Sequence, residues 1–328
     1  MISSLLEKRI VVFGDAMLDR YIRGRVDRVS PEAPIPVVMQ EKINTVLGGA
    51  ANVTRNLADF GIKTRTIALL GCPSEDTSEL EDWLRNLEGN LNGLVYDEGR
   101  PTTTKMRVLG NGQQIVRVDR ESREMVPLEQ EELIKKKLAD ASSESEAVIV
   151  ADYAKGLVNK RMADYLRELS EEGLFVAVDP HPNNPIDWKG VDLLKPNLNE
   201  LKLITGRQIM LAEEENPLEN PKLVGMMEEV LDKNELKHLL VTLSEHGMVY
   251  MGADGVRCWE PARVQEVFDV SGAGDTVISY FTLALVNGWS AENACRLANM
   301  AAGLVVRKLG TASLKYEEVE DEWKRSAH

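Results

Sequence analysis

Short, almost uniformly apolar runs recur along the chain at residues 10–13, 64–70, 147–151, 174–178 and 239–243. A strand that is apolar at every position must be covered on both faces, which is the condition of a buried strand in a parallel sheet. Between these runs, residues 160–172 and 221–233 carry apolar side chains at helical spacing. The alternation of strand and helix predicts an α/β sandwich with a largely parallel sheet.

Two regions break that rhythm. Residues 34–42 and 102–120 read as half-exposed antiparallel strands. Within the second, Lys105 and Arg107 fall on one face and Met106 and Val108 on the other, the two-residue period of a pleated strand. A further strand at 115–119 follows Gly110-Asn111-Gly112, so the two form a hairpin with a glycine-containing loop. These pieces, with strands near 20–45 and 100–120, predict a small sheet outside the main body, either a lid or a dimer surface. An edge extension of the main sheet is the alternative. The acidic, proline-broken stretch 212–221 reads as a solvated loop. Residues 1–328 are otherwise expected to form one domain, without internal repeats.

Composition narrows the class. The chain has 328 residues, 43% hydrophobic and 28% charged, ordinary values for a globular protein with a substantial core. No apolar run approaches the ~18 residues of a membrane span, and residues 1–9 are too short and too acidic for a signal peptide. Cys72, Cys258 and Cys295 lie far apart without a CxxC spacing, which fits reduced thiols in a cytoplasm rather than a disulfide framework or a zinc site. A net charge of -14 argues against nucleic acid as a partner. A small anion remains open, because local cations act at short range.

Several segments carry candidate chemistry. In Asp269-Val270-Ser271-Gly272-Ala273-Gly274-Asp275, small residues precede a helical pattern. Backbone N–H groups and the helix N-terminus there suit a phosphoryl group. Asp275 is then either a helix cap or the acceptor of a hydroxyl proton. Gly48-Gly49-Ala50-Ala51-Asn52 opens a helix that stops at Gly61; it is either a tight turn or a close approach to a ligand, with Asn52 suited to a polyhydroxylated one. In Lys195-Pro196-Asn197-Leu198-Asn199-Glu200, the spacing of Asn197 and Glu200 serves Mg²⁺, directly or through water, or a capping box. Thr242-Leu243-Ser244-Glu245-His246-Gly247 ends a strand in hydroxyls and a glycine turn, which contacts nucleotide phosphates or is merely a hairpin; His246 is expected to be exposed. Asp15 and Asp19 stand at the carboxyl end of the first strand, where open α/β sheets bind ligands; they hydrogen-bond sugar hydroxyls or serve as an N-cap and a first-turn acid. Walker, protein-kinase and Rossmann glycine motifs do not occur.

The order of these features resembles the ribokinase (PfkB) family of carbohydrate kinases over nearly the whole chain. The two glycine segments stand as that family's two signatures. The resemblance implies a ribokinase-like three-layer sandwich with a mainly parallel central sheet and a projecting β lid. It implies Asp275 as catalytic base, with Gly272, Ala273 and Gly274 holding developing charge. ATP and Mg²⁺ would be bound by Asn197, Leu198, Asn199, Glu200, Thr242, Ser244, Gly247 and Asn299, the metal by Asn197 and Glu200 through water, with a monovalent cation as a further possibility. Sugar would be bound by Asp15, Asp19, Gly48, Gly49, Asn52 and Asp152, and a cytoplasmic homodimer would form through the lid strands.

A closer resemblance, to the D-glycero-D-manno-heptose 7-phosphate kinase subgroup, is carried by Gly14-Asp15-Ala16-Met17-Leu18-Asp19-Arg20-Tyr21, by residues 28–37, by 101–107 with Gln113-Gln114, by Asp152-Tyr153-Ala154-Lys155-Gly156 and by Lys308-Leu309-Gly310-Thr311. It implies a sugar phosphate substrate, in its kinase-only form, with Lys105, Arg107, Arg117 and Lys155 as the phosphate's cations; solvated side chains are the plain alternative for each. Asp179-Pro180-His181-Pro182-Asn183-Asn184 departs from many members of the subgroup, which carry a lysine and glycine after Asp-Pro. The other readings are a kinase of a different sugar or nucleoside, and a non-catalytic sensor on the same fold.

Overall fold

The structure, a computed structural model, describes residues 2–212, 215–262, 268–308 and 310–326. In chain order the strands are β1 (Arg9–Gly14), β2 (Ala16–Val29), β3 (Pro36–Gly49), β4 (Lys63–Gly71), β5 (Leu94–Asp97), β6 (Thr103–Gly110), β7 (Gln113–Arg120), β8 (Ala147–Ala151), β9 (Phe175–Asp179), β10 (Leu193–Leu194), β11 (His238–Thr242), β12 (Met248–Gly252) and β13 (Arg257–Glu260). The helices are α1 (Ala50–Phe60), α2 (Glu75–Glu88), α3 (Leu128–Ser142), α4 (Lys160–Glu171), α5 (Leu198–Thr205), α6 (Pro221–Lys233), α7 (Ala273–Val286), α8 (Ala291–Val305) and α9 (Tyr316–Ser326).

Among the described residues the main sheet runs β13-β12-β11-β10-β9-β8-β1-β4-β5. Its strands from β11 to β5 are parallel, and β12 and β13 extend one edge in antiparallel fashion. Strand β1 is central, with Phe13 between Ile67 and Val150. Alternate residues of β1 feed different cores: Ile10 and Val12 join Leu57, Leu80, Phe281 and Leu297 of α1, α2, α7 and α8. Val11 and Phe13 join Ile134, Leu166 and Val230 of α3, α4 and α6 on the other face. That two-sided demand is why the run is apolar at every position, each such side chain stabilising by about 1.5–3 kcal/mol. The result is the three-layer α/β sandwich expected from the sequence. Helix α1 stops at Gly61 in a left-handed cap, as its pattern predicts.

A second sheet, ordered β3-β2-β6-β7, carries the strands expected near 20–45 and 100–120. Strands β2 and β6 are parallel, placing Asp19 beside Lys105 and Tyr21 beside Arg107. The 110–112 loop closes the β6–β7 hairpin. This is a separate sheet, not an edge extension of the main one. The stretch after Gly14 continues as strand β2, so Asp19 is a strand residue and not a first-turn acid. In the acidic stretch, Pro217–Glu219 forms a 3-10 turn and Asn220 caps α6; residues 213 and 214 lie outside the described residues, as does Leu309. Among the described residues no helix is long and apolar enough to cross a membrane.

Candidate active site

The carboxyl ends of the parallel strands converge on the N-terminus of α7. Gly272 adopts a left-handed conformation (φ 79°) as the residue preceding that helix. A Cβ there would lie 2.7 Å from Asn52 Nδ2, so only glycine lets α7 and α1 meet this closely. Asp275 follows at the third helical position and is buried, 4% exposed. It does not cap the helix. Its carboxylate instead accepts from Asn52 Nδ2 at 2.6 Å and from the Tyr153 hydroxyl at 2.8 Å. Burial pushes Asp275 up to about 6, against the pull of the Asn52 hydrogen bond.

Two glycines bring α1 to this point. Gly49 (φ 58°) leaves no room for a side chain, since a Cβ would sit 2.1 Å from the Asp15 carbonyl oxygen. The backbone there is tied by a 3.0 Å hydrogen bond from Ala50 N to that oxygen. Gly48 passes close to the Asp19 carboxylate. Asp15 is buried and accepts from the backbone N–H groups of Tyr153 and Lys155 at 2.9 and 3.1 Å. Burial raises it to about 6. Asp152 accepts from Ala154 N and Asn184 Nδ2 at 2.8 and 2.9 Å; burial and the nearby Asp15 charge push it up to about 7. Asp15 and Asp152 therefore shape the 152–155 turn, in which Ala154 takes a left-handed conformation, φ 56°.

Two clefts flank Asp275. One, of 510 Å³, is lined by Thr242, Ser244, Gly247, Ala273, Gly274 and Asn299 among others. It joins four of the eight expected nucleotide residues to the glycine segment; Asn197, Leu198, Asn199 and Glu200 do not line it. Thr242 closes β11 and Ser244–His246 forms a 3-10 turn into β12, so the segment is a hairpin and lines a cleft at once. His246 is a correction to the sequence reading: its side chain is only 9% exposed, and its carbonyl accepts from Trp259 Nε1 at 2.7 Å. Asn299, on α8, donates to the Pro261 carbonyl at 2.8 Å.

The other cleft, of 660 Å³, contains Lys105, Arg117 and Lys155 with Arg123, His181 and Tyr153. Its cations are held by carboxylates: Lys155 by Glu121 at 2.7 Å, Arg123 by Glu121 at 3.0 Å and Arg117 by Asp119 at 2.9 Å. Lys105 lies over the Tyr153 ring, 5.8 Å from its centroid. Burial and then Lys155 draw the Lys105 ammonium below its ordinary range. Arg107 is not among the residues lining this cleft; it is ion-paired to Asp19 and stacked on Tyr21.

Asn197 and Glu200 form the capping box that the sequence left open: Asn197 Oδ1 accepts from Glu200 N at 2.9 Å, and Glu200 Oε2 accepts from Asn197 N at 2.7 Å. Leu198 packs into the core and Asn199 is exposed, neither lining a cleft above. Burial and the neighbouring Asp179 raise Glu200 to about 6. Among the described residues no group of three His, Cys, Asp or Glu side chains is placed to cage a metal. Asn197 and Glu200 offer hard oxygen donors, an amide and a carboxylate, of the kind that Mg²⁺ takes alongside water and nucleotide oxygens.

Three further residues stand in the site without having been singled out for it. Tyr153 grips Asp275. The buried Lys195 and the half-buried Asp179 form a pair at 2.9 Å, and a Cβ on Gly274 would lie 3.4 Å from Lys195 Nζ. Burial pulls the Lys195 ammonium down, but Asp179, Glu200 and Asp275 together hold it above its ordinary value. A sequence signal existed for each: a lysine or aspartate at the end of an apolar strand, and a tyrosine inside a motif already quoted.

A small-residue helix start thus stands beside a buried aspartate, between a cleft that carries Gly274 and one that carries several cations with their carboxylate partners. The chain belongs to the pfkB family of carbohydrate kinases, whose match covers residues 7–318. It is 37% identical over 321 residues to the bifunctional protein HldE of Sulfurimonas denitrificans, covering 98% of this chain and 65% of that one. The chain thus spans about two thirds of the length of the curated relatives it matches. Among solved structures it is similar to Arabidopsis thaliana ribokinase complexed with ribose and ATP (TM-score 0.73, 20% identity, 97% and 99% of the two chains). It is also similar to Escherichia coli phosphofructokinase-2 in complex with potassium (TM-score 0.75, 16% identity, 98% and 100%).

Proposed function

We propose that the protein transfers a phosphoryl group from MgATP to the anomeric hydroxyl of a heptose 7-phosphate, giving the 1,7-bisphosphate used for the lipopolysaccharide core. The observation that carries the substrate class is the 660 Å³ cleft, whose Lys105, Arg117, Arg123 and Lys155 lie beside Tyr153, itself bonded to Asp275. A sugar whose phosphate rests among those cations would present its far end to the base. The HldE relatives support the heptose; the 510 Å³ cleft supports the nucleotide on the other side of Asp275.

Asp275 accepts the hydroxyl proton in its ionised form, which predominates above about pH 6. Positioning matters more than basicity for so weak a base. The N–H groups of residues 272–275 hold charge on the transferred group; loss of one such donor costs roughly 3–4 kcal/mol. Mg²⁺, when bound, neutralises ATP oxygens, and Glu200 with Asn197 would hold it through water. A monovalent cation would accompany the nucleotide, as potassium accompanies the E. coli relative. Residues 1–328 would act as one cytoplasmic kinase domain, paired with a second copy through the lid, whose Val29, Ile35, Met39, Ile43, Val116 and Val118 are exposed.

The test is ADP release with heptose 7-phosphate, fructose 6-phosphate and ribose offered in parallel. Heptose 7-phosphate should give the highest kcat/KM. Preference for ribose would transfer the enzyme to the non-phosphorylated sugars, and no turnover with any sugar would leave a sensor.

A further inference from the structure

The geometry points to Tyr153 as a positioning residue for the base: its hydroxyl fixes one oxygen of Asp275, and the turn that carries it ties that base to the anion cleft. This rests on the reading of Asp275 given above. Four observations converge on it. The hydroxyl donates to Asp275 Oδ1 at 2.8 Å, while Asn52 serves Oδ2, so the carboxylate cannot rotate without losing a donor. The Tyr153 backbone is itself anchored, its N–H donating to the buried Asp15. The next residue, Ala154, is held in a left-handed conformation that alanine adopts only under constraint. The ring forms part of the cleft wall and lies beneath Lys105, and Lys155, two positions on, places its ammonium in the same cleft.

The arrangement has a chemical consequence. A carboxylate with one donor on each oxygen keeps a lone pair on each for an incoming hydroxyl, in one orientation only. Donation by the phenol also favours the ionised form of Asp275. Asp15, placed by the sequence among the sugar-binding residues, acts in this turn as the anchor of Tyr153 and Lys155.

The experiment compares Tyr153→Phe with the parent enzyme. Phenylalanine keeps the ring beneath Lys105 and removes only the hydroxyl. Loss of one hydrogen bond to a charged group should raise the Asp275 titration by about one pH unit. Turnover should then fall at every pH through the freed carboxylate, and about fivefold more at pH 6 than at pH 8.5, as follows from that shift. The KM for the sugar substrate should change less than about threefold, since the cleft cations are untouched. A uniform loss across the pH range, or none, would overturn the proposal. A second measurement needs no substrate: the Asp275 carboxyl is followed by ¹³C NMR against pH, with Asp275→Asn for assignment. If its titration moves upward in Tyr153→Phe although no sugar is turned over, the grip stands and the kinase reading fails; if the titration does not move, the grip fails whatever the turnover.

Discussion

Replacing Lys195 by methionine removes the only charge paired with Asp179 among the described residues. The pair is 2.9 Å apart, with side chains 3% and 17% exposed. At that distance and an effective dielectric constant of about 20, the attraction is worth roughly 6 kcal/mol. Much of it offsets the desolvation of two ions, so the pair as such adds little stability. Breaking it is different, because Asp179 is left buried and unpaired, which costs about 3–5 kcal/mol. In a protein of 328 residues the melting temperature should fall by about 4–7 °C. Direction with pH supplies a second reading. Asp179 is already raised by burial despite Lys195, and without the ammonium it rises further. An acid raised in the folded state binds protons more readily there, so stability is lost as pH rises. The variant should therefore be less impaired at pH 5 than at pH 8. Thermal melts of Lys195→Met, Asp179→Leu and the double variant at both pH values complete the cycle. The double variant should recover to within about 1–2 kcal/mol of the parent. A single variant losing under about 1 kcal/mol, or a double variant no better than Lys195→Met, would refute the account of a buried, interdependent pair.

Asp275→Asn should abolish turnover while calorimetry still detects ATP binding, and the parent's kcat should decline as pH falls through about 6, where the base becomes protonated. Lys155→Ala should raise the KM for a sugar phosphate by about 10- to 100-fold, the worth of one hydrogen bond to a charged group, and leave the KM for ATP unchanged; Arg107→Ala, whose side chain serves Asp19, should raise it less. Gly49→Ala should cost about 2 kcal/mol or more, because it combines a left-handed backbone with overlap of the Asp15 carbonyl, and chemical denaturation will measure it.

The parallel strands were legible because a position buried on both faces must be apolar, and β1, β4, β8, β9 and β11 each announce this. Strands β5, β10, β12 and β13 were not, for different reasons. β10 has two residues, too few to show any period. β13, at the sheet's edge, carries Arg257 and Glu260 and has no uniform apolar face. The second sheet was visible through the two-residue alternation of β6 and the strands expected near 20–45, but the start of β2 was read as the end of the first strand, with Asp15 and Asp19 closing it. Gly14, with φ 149°, redirects the chain into a new strand within a single residue, and no turn signature marks so abrupt a change.

The site shows the opposite limit. Asp275, Asn52 and the 272–274 segment could be singled out because glycine before a helix and a polar residue within one are local signals, although those signals alone left a cap or a turn as equal readings. What stayed hidden was pairing between distant segments. Lys105, Arg107, Arg117 and Lys155 look alike in sequence, yet the fold separates them: Arg107 is 88 positions from Asp19 and is bound to it, while Lys155 shares a cleft with Lys105. Nothing in one strand states which carboxylate of another it will meet, since that follows from sheet order and register. Tyr153 is the clearest instance. Its chain neighbours mark a turn, but its partner lies 122 residues away, and only the convergence of β8 and α7 at one end of the sheet brings the tyrosine to Asp275.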